Sequence, residues 1–244
     1  METKTNLIHD KIQGHHEVVI KIEDVSKVYD LGKRKIPALS NINLDIHSRD
    51  FVVIFGPSGC GKSTLLNIII GAEELTTGKV IVRDKNLFNM TEDERGIFRS
   101  KKMGVIHQMP YWIKSLNVVQ NVALPLLIEG TKEKKAIKKA MELLEDQKMT
   151  HLATQNPAQL SGGEQQKVAF ARALVTDPHI IVADEPTGNL DTTSSGEIMA
   201  MFDTLNLGMK KTIILVTHNQ AYWDLGTKRI EMQDGQIIDE VENG

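Results

Sequence analysis

Gly56-Pro57-Ser58-Gly59-Cys60-Gly61-Lys62-Ser63-Thr64 is the most constraining run in the chain. It fits G-x-x-x-x-G-K-[ST] in full. An apolar run, Phe51 to Phe55, leads into it, and an apolar helical pattern, Ser63 to Gly71, leaves it. A chance match on a loop would have neither flank. Strand, glycine-rich loop and helix together let backbone amides turn inward, with a helix N-terminus facing the anion they enclose. Lys62 is placed to reach β- and γ-phosphates, and Ser63 to ligate Mg²⁺. The fold class that follows is α/β, a phosphate-loop nucleotide-binding core on a parallel sheet.

Two more motifs lie further along. Ile180-Ile181-Val182-Ala183-Asp184-Glu185 is a buried-strand pattern ending in two acids. Asp184 is positioned to hold Mg²⁺ through water, and Glu185 to polarise an attacking water as general base. Leu160-Ser161-Gly162-Gly163-Glu164-Gln165-Gln166 is a second Gly-Gly turn opening a helix. Ser161 fits an N-cap and Glu164 fits N3 of a capping box. The same turn offers another set of free backbone amides for phosphate. One chain with two phosphate-gripping turns implies a nucleotide sandwiched between two chains.

These motifs, with the run Gln165 to Leu174 after the second turn, resemble the ATP-binding subunit of an ABC transporter, from about Val18 to about Glu240. The resemblance implies that fold: a core with an added antiparallel β layer and an inserted α-helical subdomain at about 109–176, within a domain of 17–244 after a flexible tail of 1–16. It implies that Ser161, Gly162, Gly163 and Glu164 cap the ATP held by the opposite subunit. Gln108 would touch Mg²⁺ and the lytic water, Asp191 would cross the dimer interface, His218 would contact the γ-phosphate and Tyr29 would stack on adenine. Taken alone, Gln108 carries no meaning, His218 reads as a structural histidine and Tyr29 as an aromatic packing at a strand end. Lys167 stands where the family often has arginine.

Asp184-Glu185-Pro186-Thr187-Gly188-Asn189-Leu190-Asp191 and Val118 to Leu127 resemble the branch serving permeases with few transmembrane helices and a large extracytoplasmic domain. Lipoprotein-releasing systems, macrolide and peptide exporters and the cell-division pair belong to it. Gln120 departs from the glutamate common there. Tyr111 and Trp112 read either as a docking groove for that permease or as packing within the helical insert. Cys60, inside the phosphate loop, is expected to be made reactive by a helix N-terminus. Alkylation would then block ATP binding, and ATP would protect.

Composition bounds the rest. The chain has 244 residues, 41% hydrophobic and 25% charged, and its net charge of −3 argues against nucleic acid as a partner. A single cysteine excludes an internal disulfide and fits a reducing compartment. Met1 to His16 is polar, His15-His16 reads as solvated, and no run approaches the roughly 20 apolar residues that span a bilayer. A membrane role therefore runs through a partner. Further strands are expected at Val18–Ile22, Ala38–Ile46, Gly78–Arg83, Met103–His107 and Thr212–Thr217, and a hairpin through Asp234-Gly235. Helices are expected with an apolar face at Ile137, Ala140, Met141 and Leu144, and from about Thr192 to Leu207.

The expected function is ATP hydrolysis with Mg²⁺ in a head-to-tail homodimer, on the cytoplasmic face of the membrane. Dimer closure would drive a permease that exports or extracts a lipoprotein, drug or peptide, or would regulate a membrane partner without moving cargo. A chromosome-maintenance ATPase needs a long coiled coil between the half-sites. Only about a hundred residues separate Lys62 from Ser161, with no heptad run. A ribosome-associated factor of this type carries two cassettes, and this chain carries one.

Overall fold

Val18–Asp30 (β1) and Lys35–His47 (β2) run antiparallel about a turn in which the Leu31 N–H donates to the Arg34 carbonyl at 2.9 Å. The computed structural model describes residues 17–243, so the expected tail, with His15 and His16, lies outside the described residues. After Phe51–Phe55 (β3), the strands Thr77–Val82 (β4) and Lys85–Asn86 (β5) complete a four-stranded antiparallel layer in the order β2-β1-β4-β5. A second sheet of six takes in Met103–His107 (β6), Ile180–Asp184 (β7), Thr212–Val216 (β8), Lys228–Gln233 (β9) and Gln236–Glu242 (β10). Its order is β10-β9-β3-β8-β7-β6, parallel from β9 to β6, with β10 turning back at Asp234-Gly235.

The continuous apolar runs of β3, β7 and β8 make sense because both faces of the sheet are covered. Val52, Ile54, Val182 and Ile214 face one way, into a core shared with β1, β2 and Lys62–Ile69 (α1). Val53, Ile181, Ala183, Ile213 and Leu215 face the other way, onto Gly162–Leu174 (later named α5) and Thr192–Asp203 (α6), where Phe170 and Phe202 meet edge-on at 4.7 Å. A third cluster, within 118–175, joins Val118–Ile128 (α3) and Glu133–Asp146 (α4) to Val168, Ala171 and Val175. The helix α5 is thus gripped on two sides, by the sheet through Phe170 and by the helical segment through Val168.

Glu92–Lys102 (α2) was not read from the sequence, although Thr91 and Glu94 form a full capping box at its start. Along α4 the residues buried outright are Ala136, Ala140 and Leu144, while Ile137 and Met141 are partly covered. The expected helix to Leu207 stops as α-helix at Asp203 and goes on as one π turn, Thr204–Gly208. Helix α1 ends as expected at Gly71, where the N–H groups of Gly71 and Ala72 reach the carbonyls of Ile68 and Asn67.

Candidate functional site

Sheet order explains the site. Strands β3, β8, β7 and β6 are consecutive neighbours, all parallel, so their C-terminal ends lie along one edge. That edge is where open α/β sheets bind ligands. β3 ends in the phosphate loop, β8 in Thr217 and His218, β7 in Asp184 and Glu185, and β6 in His107 and Gln108.

The loop itself is tightly specified. Gly61 has φ 104°, and a Cβ there would meet the Ala38 carbonyl oxygen at 2.6 Å. Gly56 has φ 151°, and a Cβ would strike the Met232 carbonyl oxygen at 2.1 Å. Pro57, Ser58 and Gly59 form an exposed rim. Lys62 is buried and folds back on its own loop, its Nζ donating to the carbonyls of Gly56 at 2.8 Å and Pro57 at 2.9 Å. An ammonium held against the loop is a positive charge beside whatever the loop encloses, chemistry that suits a polyphosphate. Cys60 is only 4% exposed, with its thiol 3.7 Å from the Lys62 ammonium. The expectation of a reactive thiol is therefore corrected: the sulfur lies under the loop, and an alkylating reagent has to wait for the loop to open.

Ser63 Oγ donates to Asp184 Oδ1 at 3.2 Å, joining the loop to the end of β7. A hydroxyl and a carboxylate so placed, both oxygen donors, suit a hard divalent cation. Burial pushes the Asp184 carboxyl up, and the adjacent Glu185 charge adds to this, while Ser63, His107 and Lys62 oppose it. Glu185 sits at φ 47°, a left-handed conformation that costs a non-glycine residue on the order of 1 kcal/mol. Its N–H donates to the Val216 carbonyl at 2.9 Å, which holds it there. The same conformation aims its carboxylate at His218, with Glu185 Oε1 2.7 Å from Nδ1. His218 is otherwise exposed.

Gln108 is placed differently from expectation. Its amide Nε2 lies 3.4 Å from Asn189 Oδ1, on the loop after Glu185, and not on the Ser63–Asp184 pair. A metal contact requires its side chain to leave Asn189. The backbone around it is well anchored. Gln166 Nε2 donates to the His107 carbonyl at 3.1 Å, and the wholly buried Asn121 bonds Ile113 through both its N–H and its carbonyl. Tyr111 and Trp112 divide the two readings given to them. Tyr111 is 75% exposed, while Trp112 packs inward, donating to Gln165 and lying under the Arg172 guanidinium at 4.5 Å. Arg172 also donates to the Tyr111 carbonyl at 2.6 Å. Burial lowers its pKa to about 10.

The second Gly-Gly turn is a capping box: Glu164 accepts from the Ser161 N–H at 2.8 Å and from Ser161 Oγ at 2.7 Å. Gly162 and Gly163 pack against Leu190 and Ser194 of the same chain. Among the described residues, none of the hydrogen bonds of Ser161 or Glu164 goes to the phosphate loop. Asp191 caps α6, accepting from the Ser194 N–H at 2.9 Å and its hydroxyl at 2.8 Å. Tyr29 lies beside α1, its hydroxyl 3.4 Å from Thr64 Oγ1, with the Lys27 ammonium 4.8 Å from the ring centroid. Burial, then a hydrogen bond with Glu73, raises the phenol pKa. Trp223, given no role from the sequence, stacks on Phe55 at 4.0 Å, next to the start of the phosphate loop. Nothing local announces that contact, which spans 168 residues by subtraction of the two numbers.

The family model described as ABC transporter matches residues 39–188. An uncharacterized ABC transporter ATP-binding protein of Methanocaldococcus jannaschii is 44% identical, over 91% of this chain and 98% of its own length. The lipoprotein-releasing system ATP-binding protein LolD 1 of Chlorobium chlorochromatii is 38% identical, covering 90% of each. Among solved structures, the ATP-binding cassette MJ0796, a dimer in a post-hydrolysis state with ADP and Pi, superposes with a TM-score of 0.86 at 37% identity, covering 92% of this chain and 99% of that one.

Proposed function

We propose that this chain, which belongs to the ABC transporter family and is its ATP-hydrolysing, ATP-binding subunit, works as one half of a head-to-tail homodimer that drives a membrane permease. The observation that carries the dimer is the separation of its two phosphate-binding turns. The phosphate loop opens at the C-terminal edge of the sheet, and the Ser161–Gly163 turn packs on 188–194 instead. Each turn completes a site only with the opposite turn of a second copy. The LolD relatives and the cassette solved as a dimer support that reading.

In the closed pair the loop amides and Lys62 grip the β- and γ-phosphates, and Tyr29 lies beside the base. Ser161 and the amides of Gly162 and Gly163 face the γ-phosphate of the partner's nucleotide, with Glu164 holding the turn in shape. Asp191 sits at the crossing point. Ser63 and Asp184 would hold Mg²⁺, with Gln108 free to join them once its side chain leaves Asn189, and the ion would supply positive charge beside the phosphates. Glu185 takes the proton of the attacking water while His218, bonded to the same carboxylate, orients it.

The relatives named LolD favour an extracting permease of few transmembrane helices with a large extracytoplasmic domain, at the cytoplasmic face of the membrane. Regulation of a membrane partner without transported cargo is the second reading, carried by the resemblance to the cell-division pair. The decisive variant is Glu185→Gln. It is expected to bind ATP normally, lose turnover by about a hundredfold or more, and accumulate as an ATP-bound dimer on size exclusion. Near-wild-type turnover removes Glu185 from the role of base. Affinity capture from solubilised membranes identifies the permease, and a partner with many spans overturns the branch.

A further inference from the structure

Away from the nucleotide edge, the turn after β4 and the second half of α2 flank an open-sided cavity of about 550 Å³. Arg83 and Lys85 line it from the strand side, Lys101 and Lys102 from the helix side. Among the described residues none of these four side chains has an ion pair or a hydrogen bond. Several neighbouring cations are paired by contrast: Lys79 with Glu23, Arg95 with Glu74, and Arg99 with the carbonyls of Ile70 and Gly71. Arg83 Nε is sealed from solvent with no acceptor. The one acid in the lining, Glu94, is spent on the Thr91 cap, accepting from its N–H at 2.9 Å and its hydroxyl at 3.1 Å. The floor is apolar, from Met90, Phe98 and Ile97, the last 51% exposed.

Helix electrostatics explain part of this. Lys101 and Lys102 occupy the last turn of α2, where cations offset the negative end of the helix dipole. That account does not reach Arg83 and Lys85, which arrive from a different element and converge on the same space. In a chain of net charge −3, four uncompensated cations over an apolar floor call for an anion with an apolar body.

We propose that this cavity holds an anionic phospholipid of the membrane surface, its phosphate among Arg83, Lys85, Lys101 and Lys102 and its first methylenes against Ile97. Charge favours lipid over a loop of the permease. Cytoplasmic loops of membrane proteins carry an excess of Lys and Arg, which four cations repel, whereas the cytoplasmic leaflet is negative. The assignment rests on the membrane association proposed above, since only there does the cavity meet lipid. It makes no use of the ATP site.

The test is flotation of the purified full chain with vesicles of phosphatidylglycerol and phosphatidylcholine, against phosphatidylcholine alone. Association with the anionic vesicles only is expected. The double variant Arg83→Glu/Lys102→Glu is expected to weaken it about tenfold or more. Ile97→Asp is expected to weaken it beyond the effect of the same one-unit charge change made by Lys135→Gln on the exposed face of α4. ATP turnover is the folding control and should stay unchanged in every variant, so loss of vesicle binding is separable from loss of the ATPase. The proposal is overturned if the Arg83/Lys102 variant floats like wild type, if Lys134→Glu/Lys138→Glu weakens flotation equally, or if the chain ignores anionic vesicles. Displacement by millimolar inorganic phosphate would make the ligand free phosphate, and capture by polyglutamate in place of vesicles would make it an acidic peptide; either overturns the lipid.

Discussion

Asp184, the half-buried acid proposed to hold the metal, has to be charged to do so, and its surroundings disfavour that charge. Burial and the neighbouring Glu185 raise its pKa, so on acidification it takes up a proton at a higher pH than an ordinary aspartate. The protonated acid is a poor ligand. Mg²⁺ affinity is therefore expected to fall on acidification at a higher pH than for an unperturbed carboxyl, and Asp184→Asn is expected to flatten that dependence. Metal titration calorimetry across pH reads both; an unchanged pH profile in Asp184→Asn would remove the residue from the metal site. Residue identity at this scale was legible wherever chemistry demands a type at a spacing, as in Gly56 to Thr64. What could not be read was which way a side chain turns. Gln108 lies on Asn189, and Cys60 points under its own loop, because both orientations depend on atoms distant in sequence.

Capping decides several elements. The helix α3 begins with Asn117 accepting from the Gln120 N–H at 3.0 Å, while Gln120 returns the bond to the Asn117 N–H at 3.0 Å. Here lies a reason for the departure at Gln120: an amide caps as well as a carboxylate does. Gln120→Glu keeps the box and adds a negative charge at a helix N-terminus, so a gain of about 0.3–1 kcal/mol is expected. One turn later Asn121 is wholly buried and serves the carbonyls of Ile113, Leu116 and Asn117. Asn121→Ala strands those groups and is expected to cost at least about 2 kcal/mol. Urea unfolding measures both, and an Asn121→Ala protein as stable as wild type would show that water replaces the amide. Elements marked by periodicity or a cap were readable in the sequence. The capping box at Thr91 and Glu94 is readable too, and the polar composition of α2 hides it; the π turn at 204–208 carries no capping or periodicity signal.

For the molecule as a whole, the proposed head-to-tail pair puts the two glycine-rich turns of one chain in different sites. Ser161→Arg is expected to leave ATP binding by the monomer intact while abolishing the ATP-dependent dimer, in sedimentation of the Glu185→Gln background. Loss of monomer binding would place Ser161 in its own chain's site. Sheet order was beyond the sequence, since strands β3, β7 and β8 read alike as apolar runs and nothing in them states which pair. The order has a further consequence. β8 is wedged between β3 and β7, and it is made after both, so the strand that leads into the phosphate loop and the strand that ends in Asp184 stay unjoined until residues 212–216 have been synthesised. Until then both present unpaired apolar edges to the cell. Such late, non-local closure is slow and exposed to aggregation. The nascent chain therefore passes most of its synthesis without a nucleotide site, and its vulnerable period on the ribosome ends only when its last fifth emerges.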